Sequence, residues 1–287
     1  VVLPEIKLLY AFFARFASLR LCEIKPEPLP YMSPYTKEKS GYALIILTAV
    51  LTVGAILTLG PIPLDVRYHL FVDTREIWFV PNFWNVVTNV PFAIVGLLGL
   101  YKLRLPGKLG FLHENSTAYT LLFFGTFLVG FGSGYYHLSP DNQTLVWDRL
   151  PMTIAFMALF SIIISEFISV RSGKALLLPL ILAGILSVVY WHFSEIRGEG
   201  DLRFYALVQF YPMLAIAIML VFFRSCCTHV YAYWWLLLAY VVAKLFEHFD
   251  AEVFDVLGFI SGHSLKHLVA ALGMYVLLVF YQKRNCI

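Results

Sequence analysis

The sequence predicts an all-α, multi-pass integral membrane protein, and three observations carry that prediction. Of its 287 residues, 60% are apolar and only 14% are charged, too little polar surface for a water-soluble domain of this size. The mean hydropathy is +0.77. Several apolar stretches reach about 20 residues, the length that crosses roughly 30 Å of hydrocarbon as a helix.

The elements follow in order. Residues 1–40 combine an amphipathic pattern around Leu8 to Leu21 with the run Lys25-Pro-Glu-Pro-Leu-Pro30, and read as a poorly structured or amphipathic cytoplasmic extension. The chain begins with Val, and Met32, just ahead of the first apolar span, reads as the native start. Eight spans are expected, at 41–60, 83–103, 117–138, 145–168, 175–193, 204–223, 231–249 and 259–282. The first is long for a signal peptide and lacks a small-residue cleavage pattern, so it reads as a retained anchor. The connections are short and leave no room for a second folded domain.

A net charge of +3, spread over short loops, excludes a nucleic-acid partner. The four cysteines, Cys22, Cys226, Cys227 and Cys286, have no metal-type spacing. The adjacent pair Cys226 and Cys227 reads as ordinary thiols at the membrane edge. With both termini in the cytoplasm, the inner loops collect Lys102, Arg104, Lys108, Arg171, Lys174, Arg224, Lys283 and Arg284, whereas most acids fall outside. The sequons at Asn115 and Asn142 are not expected to carry glycans in that orientation.

Ionisable side chains within spans are costly, and each is a functional candidate. Ser133-Gly-Tyr-Tyr-His137 closes the third span with a hydroxyl and an imidazole four apart on one helical face. Trp147-Asp148-Arg149 opens the fourth, beside His137 across a short loop. His263-Ser-Leu-Lys-His267 opens the eighth, and two histidines four apart can ligate one ion. All three groups fall in the outer third of the bundle. Three histidines there would supply the protein ligands of a catalytic zinc, which makes a nucleophile of water near neutral pH. A histidine pair of this spacing also suits plain hydrogen bonding between helices. His69, His113, His192, His229 and His248 lie in loops or near span ends and read as structural. Arg149 could bond Asp148 or helix-end carbonyls, or be structural.

This constellation, Ser-x-x-x-His, then Asp, then His-x-x-x-His, resembles the signature of the CREST superfamily of membrane hydrolases. Within it the chain resembles the alkaline ceramidases, above all the alkaline phytoceramidase type. The stretches that carry the resemblance are Pro81-Asn-Phe-Trp-Asn-Val-Val-Thr-Asn89, Gly132-Ser-Gly-Tyr-Tyr-His-Leu138, Leu145-Val-Trp-Asp-Arg-Leu-Pro-Met-Thr153, Asp201-Leu-Arg-Phe-Tyr-Ala-Leu-Val-Gln-Phe210 and Ser261-Gly-His-Ser-Leu-Lys-His-Leu268. The resemblance implies a seven-helix CREST-type hydrolase domain over 65–282, with the 41–60 helix as an N-terminal addition. It implies that His137, His263 and His267 ligate zinc, that Ser133 and Asp148 are catalytic, and that the substrate is a membrane lipid, ceramide or phytoceramide, cleaved to a sphingoid base and a fatty acid. Animal members carry an acidic calcium-binding segment with a Glu before Phe-Trp-Asn. Here that position is Asn82 and the upstream acids are reduced to Asp73 and Glu76, which puts calcium dependence in doubt.

Related functions remain open at this point. They are a zinc hydrolase of another acylated lipid, such as a GPI precursor, and a non-catalytic receptor of the adiponectin or progestin type. A proton-coupled transporter would show internal repeats, and the spans show none. The membrane is expected to be endoplasmic reticulum or Golgi in a eukaryote, with the site on the luminal or outer side.

Overall fold

The structure is a computed structural model and describes residues 34–286. The readings made for residues 1–33, including the start at Met32, lie outside the described residues. Ten α-helices occur among the described residues: α1 Pro34–Thr58, α2 Phe83–Val87, α3 Val90–Leu103, α4 Ser116–Leu138, α5 Asn142–Phe167, α6 Val170–Ile196, α7 Arg203–Phe222, α8 Tyr231–His248, α9 Asp250–Leu257 and α10 Gly262–Tyr281. Each of the eight expected spans has a helical counterpart. Seven are long and apolar enough to cross a membrane, which makes this an all-α multi-pass membrane protein. The counterpart of 231–249, α8, is long enough with 18 residues but not apolar enough, because its last turns carry Lys244, Glu247 and His248.

The expected span 83–103 is interrupted. Pro91 has no N–H to give to the preceding turn, so α2 stops at Val87 and α3 starts afresh at Val90. Thr88 and Asn89 sit in the break and turn their side chains into the bundle, where both are buried.

Two devices bring the ends of α4 and α5 together. Asp141 caps α5 by accepting from the backbone N–H groups of Gln143 at 2.8 Å and Thr144 at 2.6 Å. Gly132 lets the two helices touch: a Cβ there would meet the Trp147 carbonyl oxygen at 2.0 Å. Gly262 does the same for α10 and α8, where an added Cβ would lie 2.2 Å from the Phe246 carbonyl oxygen.

At the opposite end of the bundle, Glu166 and Arg284 form a buried ion pair at 2.9 Å. Tyr119 and Tyr233 donate to the two Glu166 oxygens at 2.7 and 2.8 Å. The C-terminal tail folds back beside them, with Thr228 N–H donating to the Asn285 carbonyl at 2.9 Å. This return path brings Cys286 to Cys227, and the two form a disulfide. The reading of Cys226 and Cys227 as edge thiols therefore holds for Cys226 alone. Spacing could not reveal the bridge, because its partners are 59 residues apart.

The segment between α1 and α2 caps the end of the bundle opposite the Glu166–Arg284 pair. Arg203 ties it to α7: its guanidinium donates to the carbonyls of Ile56 and Leu59 while pairing with Asp201 at 2.8 Å. His69 is held between the Tyr136 hydroxyl at 2.9 Å and Asn142 Oδ1 at 2.8 Å, in keeping with a structural role. Asn142 is thus occupied by hydrogen bonds. Asn115 is buried and donates to Ser161 and Ser165.

Candidate metal centre

His137 arrives on the last turn of α4, and His263 and His267 on the first two turns of α10. The start of α10 is fixed locally. Ser261 caps it, and Asp250 Oδ1 accepts from the His263 backbone N–H at 2.6 Å. Two turns of helix place both imidazoles on one face, and the packing of α4 delivers the third.

The three rings form a nearly equilateral triangle, with centroids 4.9, 5.0 and 5.1 Å apart. One nitrogen from each lies within 4.8 Å of the other two, and all three residues are buried. His137 Nε2 and His263 Nε2 stand 3.4 Å apart. That equals the ligand-to-ligand edge, about 3.4 Å, of a tetrahedral site with metal–nitrogen bonds near 2.1 Å.

The tautomer of His267 suits a ligand. The Thr88 hydroxyl donates to the Trp84 carbonyl at 2.6 Å, so its oxygen accepts from His267 Nδ1–H at 3.0 Å. The longer approach of Asn89 Nδ2 to the same nitrogen, at 3.3 Å, gives way to that bond. With the proton assigned to Nδ1 by this network, the Nε2 lone pair faces its two neighbours. His137 Nδ1 is buried without a hydrogen-bond partner. The donor set, three imidazole nitrogens in a buried site, fits zinc.

Phe71, from the cap, packs its ring 4.7 Å from that of His137 and 4.4 Å from that of His263. It closes the triangle on one side. Asn85 joins the cap to α10: its Nδ2 donates to the Asp73 carbonyl at 3.2 Å and its Oδ1 accepts from Ser264 at 2.6 Å. The Asp73 carboxylate is buried and paired with Arg75 at 2.6 Å. Asn82 donates to the His137 carbonyl at 2.9 Å.

Ser133 and Asp148 line a cavity of about 400 Å³, together with His267. The Asp148 carboxyl faces the Ser133 hydroxyl. The deeper walls are apolar and include Leu122, Val129, Leu159, Ile163 and Ile216. Of the readings open for Arg149, packing on aromatic rings fits the structural one. Its guanidinium lies over the rings of Trp191 at 4.1 Å and Tyr205 at 4.5 Å, and its Nη1 has no hydrogen-bond partner.

Thr88, Asn89, Asn85 and Phe71 were not singled out by sequence reasoning. The first three fall within Pro81-Asn-Phe-Trp-Asn-Val-Val-Thr-Asn89, and the signal available was three polar side chains at the start of an apolar span ahead of Pro91. Phe71 gave no signal.

Fold and site define a multi-pass membrane protein with a buried three-histidine cluster able to hold a metal ion. The model of the family described as Ceramidase matches residues 76–287, well over half the chain. The protein belongs to the ceramidase family, hydrolases acting on the amide bond of ceramide. No curated protein matches it significantly.

Proposed function

We propose that the protein is a zinc-dependent amidase that cleaves ceramide or phytoceramide to a sphingoid base and a free fatty acid, with His137, His263 and His267 as the zinc ligands. The observation that carries this reading is the buried triangle of imidazoles beside the facing pair Ser133 and Asp148, at the head of an apolar cavity. When bound, zinc supplies Lewis acidity, polarising an amide carbonyl and making water nucleophilic near neutral pH.

The chain's own groups then have definite tasks. Asp148 holds the attacking water, accepts its proton and delivers that proton to the nitrogen as the C–N bond breaks and the C–O bond is completed. Ser133 has one hydroxyl proton. Facing Asp148 at rest, it rotates to donate to the carbonyl oxygen as charge develops there. Phe71 and the buried ligands keep bulk water out, and the apolar walls receive hydrocarbon chain.

The hydrolase core spans 65–282, and the 41–60 helix is an addition to it; the family match beginning at residue 76 supports this division. The basic loops favour a site on the luminal or outer side. One observation favours the reverse. The Cys227–Cys286 bridge lies at the end that carries those loops, and disulfides persist in oxidising compartments. Labelling Cys226 with an impermeant maleimide on sealed vesicles of known sidedness decides between the two.

The test of the activity uses detergent-purified protein with ceramides, dihydroceramides and phytoceramides, with and without a zinc chelator. The expected result is release of fatty acid and sphingoid base in equal amounts, abolished by chelation and restored by zinc. Hydrolysis that survives complete zinc removal would overturn the metal assignment.

A further inference from the structure

The cavity is lined by a second set of polar side chains that the amide-cleaving groups do not use: Asn89, Arg149, Tyr240, Lys244, Glu247 and Lys266. Lys244 and Lys266 each bond one oxygen of Glu247, at 2.5 and 2.6 Å. By itself that cluster could be a pin between α8 and α10. Two further facts point to a ligand.

The first is incomplete hydrogen bonding. Asn89 is fully buried and its Oδ1 has no partner, while Arg149 is 4% exposed and its Nη1 has none. The Tyr240 hydroxyl approaches Gln209, another lining residue, without closing a normal bond. A native interior satisfies nearly all its buried polar atoms, so a buried acceptor and a buried donor left open on one cavity mark a place where polar atoms of a ligand belong.

The second fact is the mixture of signs. A carboxylate or phosphate would satisfy Arg149 and the lysines but would face the Glu247 carboxylate and the lone pairs of Asn89. An ammonium group would suit those oxygens and be repelled by three cations. A hydroxyl both donates and accepts, so it can bond to either kind of atom without bringing charge into an apolar cavity.

We propose that Asn89, Arg149 and the Lys244–Glu247–Lys266 cluster form a head-group subsite that reads the hydroxyl groups of the sphingoid part of the substrate. The inference rests on the ceramide reading above and adds the residues that choose the lipid. Glu247, fixed between its lysines, accepts from a hydroxyl, and Arg149 donates to one. Once the head is bound there, the amide is presented to Ser133 and Asp148 and hydrocarbon chain runs along the apolar walls. A lipid amide without the hydroxyls would leave the same buried groups open, and that difference is the source of selectivity.

The experiment compares kcat/KM for a ceramide with that for an N-acyl alkylamine of equal chain length that lacks the hydroxyls, using the full chain in detergent. The wild type is expected to prefer the ceramide by about 10- to 100-fold, the range for losing hydrogen bonds to buried charged groups. The double variant Glu247→Gln/Lys244→Gln keeps the net charge of the cluster and should bring the ratio to within about 3-fold, mostly through KM for the ceramide. Arg149→Lys keeps the charge and loses the planar fork. It leaves the cluster intact, lowers the same ratio, and serves if the double variant does not fold. Equal losses on both lipids, or an unchanged ratio in Arg149→Lys, would make these residues structural and overturn the subsite. A wild type that cleaves neither lipid overturns the ceramide reading itself.

Discussion

At one end of the bundle Glu166 is buried and both its oxygens are engaged, by Arg284, Tyr119 and Tyr233, while the Arg284 guanidinium also stacks 3.6 Å over the Tyr281 ring. At the other end the polar groups are just as buried and their bonding is left open. His137 Nδ1, Asn89 Oδ1 and Arg149 Nη1 have no partner among the protein's own groups, and one nitrogen from each of three imidazoles lies within 4.8 Å of the other two. Both ends bear the cost of removing polar groups from water. At the first, the Glu166–Arg284 pair recovers it within the chain, which makes that pair a clamp. The second leaves groups that a bound partner would satisfy, which is why it is read as a site.

The sharpest way to break this comparison is to remove a ligand. His263→Ala or His267→Ala should lose zinc and activity together, read by atomic absorption beside fatty-acid release, because two imidazoles do not hold a three-ligand site. A variant that hydrolyses ceramide without zinc would end the comparison. Asp148→Asn should separate the two readouts. It keeps near-stoichiometric zinc while turnover falls about 100- to 10,000-fold, or roughly 3 to 5 kcal/mol in barrier, as expected of a lost proton carrier. If its zinc were lost as well, Asp148 would have to be recast as part of the ligand scaffold.

The clamp should respond in the opposite sense. Arg284→Met leaves Glu166 charged and buried, and should cost about 3 to 5 kcal/mol of stability, seen as a lower unfolding midpoint in detergent. Turnover per folded molecule should not change. Smaller effects follow at the margins of the site. Thr88→Val removes the acceptor that orients His267 and should weaken zinc binding by about 10- to 100-fold in a chelator competition. Unfolding should stay cooperative.

The least effect is expected from pH acting on the cap between α1 and α2. The Arg203 guanidinium, bonded to the Asp201 carboxyl, holds its pKa down to about 2 from the ordinary 3.8. A depressed carboxyl contributes stability that is complete above its unfolded value and is lost as pH falls through the folded one. The midpoint should therefore drop between about pH 4 and pH 2. Asp201→Asn should flatten that limb and lower the midpoint at neutral pH.

The sequence by itself determined the class of the protein and picked out the residues that the structure gathers at one cavity. Spans of about 20 apolar residues have few alternatives to helices in a bilayer, since every backbone N–H and C=O must be satisfied within the segment. Ser133, His137, Asp148, His263 and His267 were legible because charged and metal-binding side chains are rare within spans, and because a spacing of four on a helix fixes their common face. The break at Thr88 and Asn89 was written in Pro91, yet its purpose was not, because the His267 ring it orients is 179 residues away. The same holds for Phe71 over the histidines, for Cys227 and Cys286, and for Glu247 between Lys244 and Lys266. Local periodicity reports which face of a helix is apolar. Which helices meet, and which buried atoms are left unpaired when they do, depends on contacts between distant segments, and only the tertiary structure decided that.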